Sequence, residues 1–154
     1  MKTKLSADVL NALAGKTLAT AESLTGGGIG NAITSVSGAS RVYVGGIVSY
    51  VNRVKRDVLG VPEGFLETLG PVSGPVAKAM AEGARRVLNA DVAVSVTGLA
   101  GPDGDEFGHP VGTVFIGYAD GNTAFAREYH FEGDRAQVRE QTVCAALQLI
   151  LEMN

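Results

Sequence analysis

Apolar residues Leu5, Val9, Leu10 and Leu13 recur three to four positions apart, the spacing of one helix face. They predict a short first helix, with Ser6 able to cap its start and Gly15 to close its end. Thr17 to Ala21 reads as a strand, and Glu22 to Gly28 turns the chain into a helix from about Gly27 to Val36. After the turn Ser37-Gly38-Ala39-Ser40, the Val, Ile and Tyr content of Arg41 to Val51 predicts a strand. Gly45 and Gly46 inside it imply close approach of another element. Asn52 is placed to cap a helix from Arg53 to Leu59, closed by Gly60.

Pro62 opens a helical turn through Leu69, ended by Gly70-Pro71. Ser73 as N-cap, Pro75 in the first turn and the stripe Val76, Met80, Ala84, Val87 and Leu88 predict a helix of about four turns. Asp91 to Thr97 alternates as a strand, and Gly98 to Val111 is a 14-residue loop. Loops of that length in a compact domain are usually functional. Gly112 to Ala119 and Thr123 to Phe131 form an antiparallel hairpin through Asp120-Gly121-Asn122. Asp134 with Gln137 makes a capping box for a last helix to about Met153. Strands alternating with helices, plus one hairpin, predict an α/β fold: a single layered domain over residues 1–154, its mixed β-sheet flanked by helices.

Composition narrows the function. The 154 residues carry 13 Lys plus Arg against 16 Asp plus Glu, a net charge of −3. That argues against a nucleic-acid partner or an anionic membrane surface, which need a dense basic face. The single cysteine, Cys144, excludes an internal disulfide and a Cys-based zinc site. Met1 to Gly15 is too broken by polar residues for a signal peptide or membrane span, so a cytoplasmic protein is expected. Glycine is abundant, 21 of 154 residues, and it concentrates at 26–28, 45–46 and 98–112. Clustered glycine brings backbone close to something.

Three segments carry candidate chemistry. A tight turn between a buried strand and a helix displays its central side chain, here Ser23, while the free N–H groups of the helix start favour negative charge beside it. No Walker loop, dinucleotide fingerprint or Gly-x-Ser-x-Gly elbow is present. Tyr50 and Lys55 flank the next strand-to-helix junction, where the helix dipole and the charges of Arg53 and Arg56 disfavour a protonated Lys55. A lysine of lowered pKa, or a tyrosine acidified by one, can activate a serine where no histidine serves. The third segment, Thr97 to Pro102 with the loop to Thr113, places small residues at a strand's carboxyl end, where open α/β sheets bind ligands. Arg135 and Arg139 offer an anion-binding guanidinium. Residue types alone leave the plainer alternatives open: Ser23 and Thr25 as helix caps, Tyr50 packed at a strand end, Lys55 in solvent.

The blocks Ala-Glu-Ser-Leu-Thr-Gly-Gly at 21–27, Gly-Gly-Ile-Val-Ser-Tyr-Val-Asn-Arg-Val-Lys at 45–55, Pro-Val-Ser at 71–73, Val-Thr-Gly-Leu-Ala-Gly-Pro at 96–102, Pro-Val-Gly-Thr-Val at 110–114 and Phe-Glu-Gly-Asp-Arg at 131–135 resemble the CinA C-terminal domain family. Stand-alone members of that family are nicotinamide-nucleotide amidohydrolases. The resemblance implies hydrolysis of the carboxamide of nicotinamide mononucleotide to nicotinate mononucleotide and ammonia, with Ser23 as nucleophile activated by Tyr50 and Lys55, and no metal or cofactor. It implies a substrate site built from Thr25, Gly26, Gly27, Asn52, Thr97, Gly98, Ala100, Gly101, His109 and Arg139, and a homo-oligomer, with a dimer favoured. Two alternatives are a non-catalytic nucleotide-binding or regulatory module and a serine amidohydrolase for another amide. The chain departs from the family's usual pattern at Val51, where Ser is common, and at Asp103 to His109, where His109 replaces a lysine. His109 is therefore expected to bind the substrate phosphate in a pH-dependent way.

Overall fold

The computed structural model describes residues 1–154. Eleven elements follow the chain: α1 (Lys2–Ala12), β1 (Leu18–Glu22), α2 (Gly28–Thr34), β2 (Tyr43–Val48), α3 (Asn52–Asp57), α4 (Glu63–Thr68), α5 (Gly74–Val87), β3 (Val92–Gly98), β4 (Thr113–Ala119), β5 (Ala124–His130) and α6 (Arg135–Met153), with one 3-10 turn at Ala39–Arg41. The strands form one sheet in the order β2-β1-β3-β4-β5. β2, β1 and β3 run parallel, and β3, β4 and β5 are antiparallel. This is the expected mixed sheet.

Each face of the sheet buries its own apolar layer. On one face Leu18, Val94, Val96, Val114 and Ile116 pack with Val9 and Leu13 of α1, Ile29 and Ile33 of α2, and Val138, Leu147 and Ile150 of α6. On the other, Ala19, Ala21 and Ala93 meet Val76, Met80 and Ala84 of α5, with Leu59, Val61 and Leu66 beside them. Small residues on that second face let α5 lie close to the strands. A Cβ built on Gly117 would overlap the Ala77 carbonyl of α5 and the Ser95 hydroxyl, and neither can move without breaking their mutual hydrogen bond of 2.6 Å. Gly117→Ala is therefore expected to destabilise the protein by about 3 kcal/mol, a loss that urea denaturation would measure.

Several local expectations shift. Ser6 does not cap α1: the helix starts at Lys2, and the Ser6 hydroxyl is buried within it without a hydrogen-bond partner. Asn52 is the first residue of α3 rather than its cap, a position taken by Val51. The capping box at Asp134 and Gln137 forms as expected, and Ser73 caps α5 through the Val76 amide. Gly46 does sit against Thr20 and Tyr43, whereas Gly45 faces open space. The strand expected to reach Val51 ends at Val48, because Ser49 and Tyr50 turn their carbonyls onto Lys55.

The long loop after β3 is held by its own carboxylate. Asp105 accepts the amides of Phe107 (3.1 Å) and His109 (2.9 Å) and pairs with His109 Nδ1 at 2.8 Å. Phe107 packs over Gly70, its ring filling the place a Cβ would take, and the φ of +81° there separately favours glycine. The loop thus leans on the segment that leads into α5. Removing the organising acceptor with Asp105→Asn should speed amide exchange of residues 103–110 by roughly tenfold, about 1.4 kcal/mol of local opening, with global stability little changed.

Candidate active site

Parallel strands that are joined by crossovers on opposite faces leave a crevice at their carboxyl ends. Here α2 links β1 to β2 on one face and α5 precedes β3 on the other, so the crevice opens between the ends of β1 and β3. Ser23 is the first residue past β1, and its amide is held by the Val96 carbonyl at 3.1 Å. The chain cannot run straight on, since Gly26 and Gly27 turn it with φ of +59° and +104°, a conformation that side chains resist.

Lys55 reaches this point from α3. Its Nζ donates to Ser23 Oγ at 3.1 Å, to the Ser49 carbonyl at 2.6 Å and to the Tyr50 carbonyl at 3.3 Å. Only 1% of Lys55 is exposed. Burial brings its pKa down from 10.5 to about 8, because an ammonium loses hydration there. The lowering was expected, but from the helix dipole and from Arg53 and Arg56. Arg56 is instead spent on Asp57 and Glu63 at the surface.

Around this pair lies a cavity of about 240 Å³ lined by Ser23, Leu24, Tyr50, Lys55, Pro71, Val72, Thr97, Gly98, Leu99, Ala100 and Arg135. Thr97 is fixed by donating its hydroxyl to the Pro71 carbonyl at 2.7 Å. Of the expected residues, the crevice therefore gathers Ser23, Tyr50, Lys55, Thr97, Gly98 and Ala100. Tyr50 lines the wall through an exposed side chain, and its hydroxyl accepts from Arg135 Nη2 at 3.4 Å. It touches Lys55 only through its backbone carbonyl. No group of three or more His, Cys, Asp or Glu side chains is arranged to hold a metal ion.

The remaining expected residues stand outside the cavity wall. Arg139 binds the carbonyls of Leu24 (2.9 Å) and Thr25 (3.2 Å), bracing the turn. Its neighbour one helical turn earlier, Arg135, is the one in the cavity wall, anchored to the Gly101 carbonyl at 2.8 Å. Thr25 donates its hydroxyl to Glu22 at 2.5 Å, Gly26 and Gly27 shape the turn, and Asn52 is exposed at the start of α3. His109 is turned onto Asp105 and lies edge-on to Phe115, which leaves it in the loop's own packing rather than in the cavity wall.

One functional expectation is overturned by an unforeseen residue. The free amides at the start of α2 are not available to a ligand, because the buried Glu22 carboxylate accepts those of Ile29 (2.9 Å) and Gly30 (3.0 Å). Its only sequence signal is its place beside Ser23 at the end of a strand. Leu24 and Ala100, both in the cavity wall, have amides that donate to nothing within the chain.

Comparison with known proteins agrees with this architecture. The chain is 48% identical over 134 residues to the nicotinamide-nucleotide amidohydrolase PncC of Pseudomonas putida, a match spanning 87% of this chain and 84% of that one. It is also 48% identical over 133 residues to a CinA-like protein of Geobacter metallireducens, covering 86% of this chain and 32% of the relative. The chain thus spans about a third of the length of such CinA-like relatives. A crystal structure of a competence-damaged protein (CinA) superfamily protein from Escherichia coli superposes with a TM-score of 0.98 at 32% identity, over 100% of this chain and 91% of that one. The profile of the CinA C-terminal domain matches residues 2–154, and with strand order, crevice and sequence in accord, the chain belongs to the CinA C-terminal domain family.

Proposed function

We propose that the chain hydrolyses the carboxamide of nicotinamide mononucleotide through a Ser23 ester. The observation that carries this reading is the 3.1 Å contact between Ser23 Oγ and a buried Lys55 of lowered pKa; the similarity to an enzyme named nicotinamide-nucleotide amidohydrolase supports the substrate. Neutral Lys55 takes the Ser23 proton as Oγ attacks the amide carbon. The oxyanion is held by backbone amides, with those of Leu24 and Ala100 among the free ones in the wall. Lys55 returns the proton to the leaving nitrogen, ammonia departs, and water, deprotonated by the same lysine, cleaves the acyl ester to nicotinate mononucleotide. The Tyr50 hydroxyl makes no hydrogen bond to Ser23 or to Lys55 Nζ, its one partner being Arg135, so the lysine alone accepts the proton and the tyrosine acts as cavity wall.

The volume of about 240 Å³ lies below the ~300–1,000 Å³ of pockets that enclose a drug-sized ligand. It suits the pyridine carboxamide, with ribose phosphate extending over the rim toward Arg135. Arg135→Gln is then expected to raise KM for nicotinamide mononucleotide roughly tenfold or more with kcat changed by less than about threefold, since a phosphate contact remote from the reacting carbon is uniform binding. An unchanged KM would remove Arg135 from the substrate site.

Ammonia release from nicotinamide mononucleotide, compared with nicotinamide and a panel of simple amides, tests the reaction as a whole. Preference for the mononucleotide, persisting in a chelator, is the expected result. Faster release from another amide would reassign the substrate, and binding of the mononucleotide without release would make the chain a binding module. Sedimentation velocity tests the expected homo-oligomer, which a single monomeric species would overturn.

A further inference from the structure

The mechanism above leaves one buried charged group unused. Glu22 is 1% exposed and immediately precedes Ser23, yet it lies outside the cavity wall. Its carboxylate takes three donors: the Thr25 hydroxyl at 2.5 Å and the Ile29 amide at 2.9 Å on Oε1, and the Gly30 amide at 3.0 Å on Oε2. A carboxylate so buried is retained only where donors replace its hydration. Those donors all belong to the segment that begins at Ser23, so the side chain folds back and clasps the turn from beneath.

The backbone of the same residue reaches the other half of the pair. The Glu22 carbonyl accepts the Ser49 amide at 2.8 Å, and the Ser49 carbonyl is the shortest partner of Lys55 Nζ, at 2.6 Å. One residue thus ties the nucleophile's turn through its side chain and the base's acceptor through its main chain. Catalytic groups misplaced by an ångström lose rate steeply, and residues that lock such groups from behind decide whether a site is merely present or poised.

We propose that Glu22 is a positioning residue, which through Thr25 and the first amides of α2 holds Ser23 Oγ on Lys55 Nζ. This rests on the reading of Ser23 as nucleophile. Glu22→Gln keeps the shape but sets an NH2 group against the Gly30 amide, donor facing donor. Thr25→Val removes one donor and leaves the carboxylate in place, and Thr25→Ser restores the hydroxyl.

The test is the rate at which a serine-directed fluorophosphonate labels Ser23, read by mass spectrometry, because it does not depend on which amide is the substrate. Glu22→Gln and Thr25→Val should each label at least tenfold more slowly than wild type. Labelling should still reach wild-type stoichiometry, and Thr25→Ser should recover most of the rate lost in Thr25→Val. A residue that only stabilised the fold would lower the labelled fraction in step with the melting temperature and leave the rate of the folded fraction unchanged. Wild-type labelling rates in folded Thr25→Val would overturn the proposal even if Glu22→Gln fails to fold. A folded wild-type protein that is not labelled at Ser23 would instead overturn the nucleophile assignment on which it stands.

Discussion

Ser23→Ala is expected to lower kcat for ammonia release by about 10³-fold or more while KM changes little, because nucleophile and base act as one unit and nothing else in the cavity can form the ester. Ser23 Oγ is the only hydroxyl that Lys55 Nζ contacts. The Thr97 hydroxyl, also in the wall, is spent on the Pro71 carbonyl. The variant should fold normally, since the Ser23 side chain makes no other hydrogen bond and the turn is held by Glu22, Arg139 and the glycines. Retention of more than about a tenth of wild-type kcat, a loss below ~1.4 kcal/mol in transition-state stabilisation, would refute the covalent route. Trapping an acylated Ser23 peptide from wild type and not from the variant would secure it.

The second large effect belongs to Lys55 and is read as a pH profile. With its pKa brought down to about 8 by burial, roughly a tenth of the lysine is neutral at pH 7. Since only the neutral amine can take the Ser23 proton, kcat/KM should rise about tenfold from pH 7 to a plateau above pH 9. Lys55→Met should lose nearly all turnover and with it the profile. A wild-type profile flat across this range would exclude Lys55 as the base.

The same burial makes a stability statement of opposite appearance. Between about pH 8 and 10.5 the unfolded chain still holds the Lys55 proton while the folded one has released it, so the stability of the wild type rises with pH across that window and is insensitive to this group below it. The gain should approach about 3 kcal/mol relative to Lys55→Met in urea denaturation. The protein accepts a buried ammonium penalty at neutral pH to keep a base beside its serine, the trade of stability for function common at active sites.

Element type and order were legible because they rest on local spacing: the stripe of α5, the alternation of β3 and the capping box of α6 are each complete within their own segments. Ser23, Tyr50 and Lys55 could be singled out because strand-to-helix turns expose their central residues, and Thr97 to Ala100 because they end a strand. Whether these three stretches meet was not a local property. The order β2-β1-β3 sets the ends of β1 and β3 side by side, and the shortened β2 lets Ser49 and Tyr50 turn toward the lysine. Arg135 and Arg139 stand one helical turn apart, so chain spacing gives both the same face; only the packing of α6 directs the second onto the turn and leaves the first to the cavity. The cause of the Lys55 shift was misassigned for the same reason, since dipoles and neighbouring arginines can be counted along a chain, whereas desolvation depends on what the rest of the fold lays over it. Glu22 shows the limit most plainly. As a residue type it is a surface carboxylate, and nothing along the chain announces that α2 will return to offer it the very amides that seemed free for a ligand.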